Sequence, residues 1–191
     1  MFILQKIYHF LIDTIQTVLL AASFFLVIYI FLFRPFQVSG SSMHPTFVDG
    51  EYILTNLITL RLNELKKGDV IVFEAPNDSE KDFIKRVIGI PGDSVMISNG
   101  DIYLNGQKLD ENAYLSSDVR TYGGAFLTEG QTVIVPQGEY FAVGDNRSHS
   151  SDSRQFGFIK REKIIGKSMF VYWPPNKMRW VKNPLKIDGS F

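Results

Sequence analysis

The chain has 191 residues, and its 20 basic and 20 acidic side chains give a formal net charge of zero. That balance argues against nucleic acid as the main partner, since gripping a phosphate backbone needs a net basic surface. No cysteine is present, which excludes disulfides, thiolate metal sites and a cysteine nucleophile together.

The first element is the N-terminal apolar run. Thr14 to Phe33 contains no charged residue and is mostly Leu, Ile, Val and Phe. As a helix it would span about 30 Å, the thickness of a bilayer's hydrocarbon core. A cleavable signal peptide has an apolar region of only about 7–15 residues, so a retained membrane anchor over 14–33 is the expectation, with 1–13 a short segment ahead of it. Lys6 precedes the run and Arg34 follows it, a near tie that leaves orientation open on charge alone.

Beyond Arg34-Pro35 the pattern changes to short period-two runs separated by Gly, Pro and Asn. Strands are predicted at Tyr52–Asn56, Asp69–Phe73, Phe83–Ile90, Ser94–Ile97, Thr132–Val135, Glu139–Val143 and Ser168–Trp173. Residues 102–109 read as a hairpin, because Asn105-Gly106 supplies the two positive-φ positions of a tight primed turn. Helical signals are confined to Leu60–Leu65 and Arg161–Ile165. The polar tail after Trp173 is expected on the surface. The fold class is therefore mostly β, a single domain at 34–191 on an N-terminal transmembrane helix. Trp173 and Trp180 are expected in core packing, the alternative being contact with the bilayer interface.

His9, His44 and His149 are scattered, and none has a second ligand at zinc-site spacing. Serine chemistry is better represented. Gly40-Ser41-Ser42-Met43-His44-Pro45 occupies a turn-rich bend, where Gly40 lets the backbone turn and leaves N–H groups to face an oxyanion. A serine hydroxyl needs a base. Lys85 lies within the apolar strand Phe83–Ile90, where burial would favour the neutral amine; a lysine on an exposed strand face is the plainer reading. A polar run from Gly144 to Arg154 suits a supporting shell, and it also admits a Ser42–His149 triad completed by Asp145 or Asp152. A tethered β module that binds a partner without catalysis is the alternative from another class.

Four blocks together resemble the type I signal peptidase family of bacteria. They are Ser39–Thr46, Lys67–Phe73, Lys85–Asp93, and Gly144–Arg147 with Ser150–Arg154, in the family's order and behind a membrane anchor. The resemblance implies a serine–lysine dyad protease with no cofactor. Ser42, followed by Met-x-Pro, matches the nucleophile and Lys85 the general base. Ser150 matches a serine that orients the lysine amine, Arg86 and Asp145 an ion pair beneath the site, and Asp152 and Arg154 further polar support. Gly40 stands where some members carry an oxyanion serine, leaving backbone N–H groups, chiefly that of Ser42. The large accessory β-subdomain of some members is not expected between Gly92 and Gly144. Val38, Met43, Phe83 and Ile84 match the walls of shallow pockets that admit the small residues of an Ala-x-Ala-like site. The substrates implied are secretory preproteins, and the place is the cytoplasmic membrane of a bacterium. The short N-terminus would be inside, with the catalytic domain outside.

Overall fold

In the computed structural model, residues 2–76 and 78–185 are described. Helix α1 runs from Phe2 to Leu32, so residues expected ahead of the anchor are helical and continuous with it. A stretch within it, Phe2–Tyr29, is long and apolar enough to cross a membrane, and the rest of the chain buries none of it.

Strand β1 (Phe33–Gln37) follows without a break. It was not expected, since Arg34 and Pro35 obscure its pattern. Both residues are tolerable because β1 is the outermost strand of its sheet, where a proline forfeits no ladder bond. The remaining strands are β2 (Tyr52–Asn56), β3 (Val70–Ala75), β4 (Asp78–Gly89), β5 (Ser94–Ser98), β6 (Asp101–Leu104) and β7 (Gln107–Lys108). They continue as β8 (Thr132–Ile134), β9 (Glu139–Val143), β10 (Ile159–Lys160), β11 (Ile164–Trp173) and β12 (Arg179–Trp180). One antiparallel sheet has the order β1-β2-β11-β3-β4-β9-β10, with β12 also on β11, and a smaller sheet runs β7-β6-β5-β8. The β6–β7 turn has Asn105 at φ 53° and Gly106 at φ 78°, as the hairpin signature requires.

The two predicted helices shrink to short turns. Thr59–Leu62 (α2) is a single turn, and Arg161–Lys163 is a 3₁₀ turn. Ile164 and Ile165 join β11 instead, with Ile164 opposite Phe73 of β3, a half-buried pleated setting that β-branched residues suit.

Along β3 successive side chains enter different cores. Ile71 and Phe73 pack with Val87, Tyr140 and Ala142, whereas Val70 and Val72 pack with Val38, Met43, Phe47 and Ile53. This covering of both faces accounts for the near-continuous apolar run of Val70–Phe73. A third core joins Ile88, Phe141 and Val143 to the smaller sheet through Val95, Ile97 and Ile102. Trp173 and Trp180 are 52% and 64% exposed, which corrects the expectation of core packing. They are the last residues of β11 and β12, and Trp180 packs at a tilt against Phe170, its partner on β11, instead.

Candidate active site

The loop between β1 and β2 carries the serine cluster. Its ends are tied by Val38 N–H to Glu51 O (2.8 Å) and Gly50 N–H to Val38 O (2.9 Å). Gly40 has φ +89°, and an added Cβ would meet nothing within 4 Å; a side chain there would be strained by the backbone rather than by crowding. Its N–H is occupied, however, donating to Asp49 Oδ1 at 2.7 Å. Among the described residues no acceptor takes the Ser42 N–H, so of the two expected oxyanion positions only Ser42 offers a free donor.

Met43, expected in a pocket wall, is 1% exposed and packs in the core beneath the loop with Val38, Phe47 and Ile53. The Phe47 N–H to Met43 O bond (2.9 Å) closes a turn that directs this side chain inward. On the far side, Ser42 O accepts from Asn146 N–H at 3.0 Å, and Asn146 Nδ2 donates to Ser41 O at 3.1 Å. The Ser42 loop is thereby fastened to the Gly144–Arg154 segment.

Lys85 is 3% exposed. Its Nζ is 2.9 Å from Ser42 Oγ and 2.9 Å from Ile84 O. Burial pulls the amine down from 10.5 to about 8; the carboxylates of Asp152 and Asp145 oppose this, and the Arg154 guanidinium adds to it. An amine within reach of neutrality beside a hydroxyl is a competent general base.

The polar residues around the pair sort into two buried ion pairs. Arg86 donates from Nε and Nη2 to Asp145 at 2.9 and 2.7 Å, from Nη1 to Gly68 O at 2.9 Å and from Nη2 to Thr46 Oγ1 at 3.1 Å. Thr46 Oγ1 in turn donates to Asp145 Oδ2 at 2.5 Å. Asp152 receives Arg154 Nε and Nη2, each at 2.8 Å, and the Gly144 N–H at 2.9 Å. It also caps the short helix α3 (Ser153–Phe156). Ser150 behaves differently from expectation: its Oγ is buried and makes no hydrogen bond among the described residues, to Lys85 or to anything else. It lies beside Gly144 and the Ser42 carbonyl, since a Cβ on Gly144 would fall 2.2 Å from Ser150 Oγ and 2.5 Å from Ser42 O.

Residues missed from sequence include Thr46 and Arg147. Arg147 is 4% exposed and joins Gly144 O (3.0 Å) to Glu111 through two bonds of 2.8 and 2.5 Å. The triad is not assembled. His149 is exposed, with Nδ1 2.8 Å from Ser148 Oγ, while Asp145 and Asp152 are each held by an arginine.

Beside the Ser42–Lys85 pair lies a cavity of about 210 Å³ lined by Val38, Phe83 and Ile84, with Phe36, Ile53 and Val72. A larger open cleft of about 800 Å³ near the helix exit, lined partly by Arg34, Leu57 and Arg161, holds no nucleophile.

A family model described as signal peptidase, peptidase S26, matches residues 11–173. The chain belongs to this signal peptidase family. Signal peptidase IB of Staphylococcus aureus (strain MRSA252) is 35% identical to this peptidase over 186 residues, covering 90% of the chain and 96% of the relative. Signal peptidase I T of Bacillus subtilis (strain 168) is 39% identical over 171 residues, with coverages of 87% and 88%. A signal peptidase I crystal structure from Enterococcus faecalis V583, 30% identical, spans 55% of this chain and 97% of its own, with a TM-score of 0.44. The matched region of the peptidase contains every residue of the Ser42–Lys85 site and ends at Trp173.

Proposed function

We propose that this peptidase is a membrane-anchored serine endopeptidase that removes signal peptides from secretory preproteins, with Ser42 as nucleophile and Lys85 as general base. The observation that carries the reading is the 2.9 Å approach of a buried amine, its pKa pulled down to about 8, to the Ser42 hydroxyl. Neutral Lys85 takes the proton as Ser42 Oγ attacks the scissile carbonyl carbon. The resulting ammonium returns that proton to the departing amine, leaving an acyl-enzyme. Lys85 then deprotonates a water, which releases the acyl group and restores Ser42. The free Ser42 N–H faces the developing oxyanion. Arg86–Asp145 and Arg154–Asp152 hold the surrounding backbone. Ser150, whose Oγ has no hydrogen bond among the described residues, is assigned the role of orienting the lysine amine once substrate is bound.

Val38, Phe83 and Ile84 give the cavity apolar walls and a volume suited to small side chains, which supports cleavage after an Ala-x-Ala-like pattern. β4 pairs with β9 only through Arg86–Gly89, so beside Asp82–Lys85 an edge is open for an extended substrate to add as a strand. In this reading the anchor leaves its N-terminus in the cytoplasm and residues 34–191 on the outer face of the cytoplasmic membrane.

Incubating detergent-solubilised protein with a secretory precursor tests the reading. Ser42→Ala and Lys85→Ala should each lose cleavage by roughly 10³-fold or more, with His149→Ala retaining most activity. An active Lys85→Ala beside a dead His149→Ala would replace the dyad by the triad. Undiminished cleavage by Ser42→Ala would remove the nucleophile altogether.

A further inference from the structure

The segment after Trp173 lies outside the family match, yet it reaches both backbone supports of the dyad. We propose that Arg179–Asn183 is a clasp that holds Ser42 and Lys85 in register, with Arg179 and Asn183 as positioning residues. The inference rests on the dyad reading above.

Arg179 sits on β12, opposite Val171 of β11. Its guanidinium grips Glu51 through two bonds, Nη1 to Oε1 at 2.9 Å and Nη2 to Oε2 at 2.7 Å, and Nη2 also donates to Thr46 O at 2.6 Å. Glu51 is 1% exposed and receives the Val48 N–H as well, at 3.1 Å. A single side chain from the tail therefore braces the descending half of the loop whose other half carries Ser42. Four residues on, Asn183 Nδ2 donates to Lys67 O at 2.7 Å and to Asp69 Oδ1 at 2.9 Å, closing over the turn that contains Gly68. That closure requires glycine: at φ +86° a Cβ on Gly68 would stand 2.1 Å from Asn183 Oδ1. Between the two grips, Val181 packs against the core that contains Met43 and Phe47.

The two gripped places share one neighbour. Thr46 and Gly68 both receive hydrogen bonds from the Arg86 guanidinium, and Arg86 adjoins Lys85 on β4. The clasp thus spans the nucleophile loop on one side and the seat of the base's neighbour on the other. A bidentate guanidinium fixes angle as well as distance, which an ammonium cannot do. Release of either grip would let Ser42 Oγ drift from Lys85 Nζ, and displacements on the scale of 1 Å weaken catalysis far more than substrate binding.

The test uses full-length protein in detergent and the variants Arg179→Ala, Arg179→Lys and Asn183→Ala, reading kcat, KM, the pH midpoint of kcat/KM, and Tm. Expected for Arg179→Ala is a fall in kcat of roughly 10- to 100-fold with KM little changed. Arg179→Lys should recover only part, since it keeps the charge and loses the fork. The pH midpoint should move upward, because a loosened loop admits water to an amine faced by Asp145, Asp152 and Arg154. Unchanged kcat and an unmoved midpoint, with or without a lower Tm, overturn the clasp. Should Arg179→Ala fail to fold, Arg179→Lys and Asn183→Ala decide by the same readings. Ser42→Ala and Lys85→Ala run alongside: activity in either overturns the dyad reading itself, whereas dead dyad variants beside fully active tail variants overturn only the clasp.

Discussion

Lys85 is an amine placed where burial disfavours its charge, and the same displacement that would suit it to the proposed role of base also costs stability. Its value in the folded protein, about 8, lies below the 10.5 of a free lysine, so between these limits the unfolded chain binds more protons than the folded one. The destabilisation is therefore full below pH 8 and fades as pH rises toward 10.5. A shift of this size corresponds to at most about 3 kcal/mol. Lys85→Met, which keeps the apolar stem and discards the charge, should raise Tm at pH 7 and gain little at pH 10; a variant less stable than wild type at both pH values would contradict the burial cost. Catalysis follows the opposite course. Because the base must be neutral, kcat/KM should climb about tenfold per pH unit below 8 and level off above it, and a flat profile from pH 6 to 9 would count against Lys85 as base.

At the scale of the strand, the proposed function makes β4 the element that sets specificity. Ile84 reaches the cavity beside Ser42, flanked by Phe83 and Lys85 of the same strand. Ile84→Ala should enlarge the space for the residue before the scissile bond and narrow the preference for alanine over valine there by about 1–2 kcal/mol, read as the ratio of kcat/KM on matched peptides; an unchanged ratio would place the pocket wall elsewhere. β2 was legible at both ends because its residues alternate in burial, and β9 through its apolar run between polar turns. Of β4 only the part from Phe83 was legible, because the polar stretch Asp78–Asp82 carries no alternation. β1 was hidden because Arg34 and Pro35 break the alternation, and only its distant pairing with Ile53 and Leu54 reveals a strand. The start of β11 was hidden behind Arg161-Glu162-Lys163, which read as one more turn of helix. In the site, Ser42 and Lys85 stood out through motif order, but no spacing rule brings together residues 43 positions apart. The partners Thr46–Asp145 and Arg147–Glu111 join residues 99 and 36 positions apart, and local pattern carries no trace of such pairs. Met43 was misplaced because a turn residue's direction depends on how the loop closes, which its neighbours in sequence do not determine.

For the molecule as a whole, the decisive join is between α1 and the sheet. α1 ends at Leu32 and β1 begins at Phe33, and Leu57 N–H donates to Leu32 O at 2.9 Å across the join. β1 is then locked to β2 over five consecutive register pairs, Phe33 with Asn56 through Gln37 with Tyr52. The apolar helix therefore passes into the domain without a free linker, and the loop bearing Ser42 begins directly after β1. If, as proposed, the substrate is itself held in a bilayer, such a fixed height would let the cavity meet the scissile bond without a search. Inserting ten Gly/Ser residues between Leu32 and Phe33 keeps β1 intact and adds a coil of about 17 Å root-mean-square length. In proteoliposomes this insertion should slow cleavage of a membrane-inserted precursor while leaving cleavage of a short soluble peptide unchanged. Equal rates on the precursor would show that the rigid join has no part in presentation. Equal losses on both substrates would mean instead that the insertion had disturbed the β1–β2 edge and, through it, the Ser42 loop.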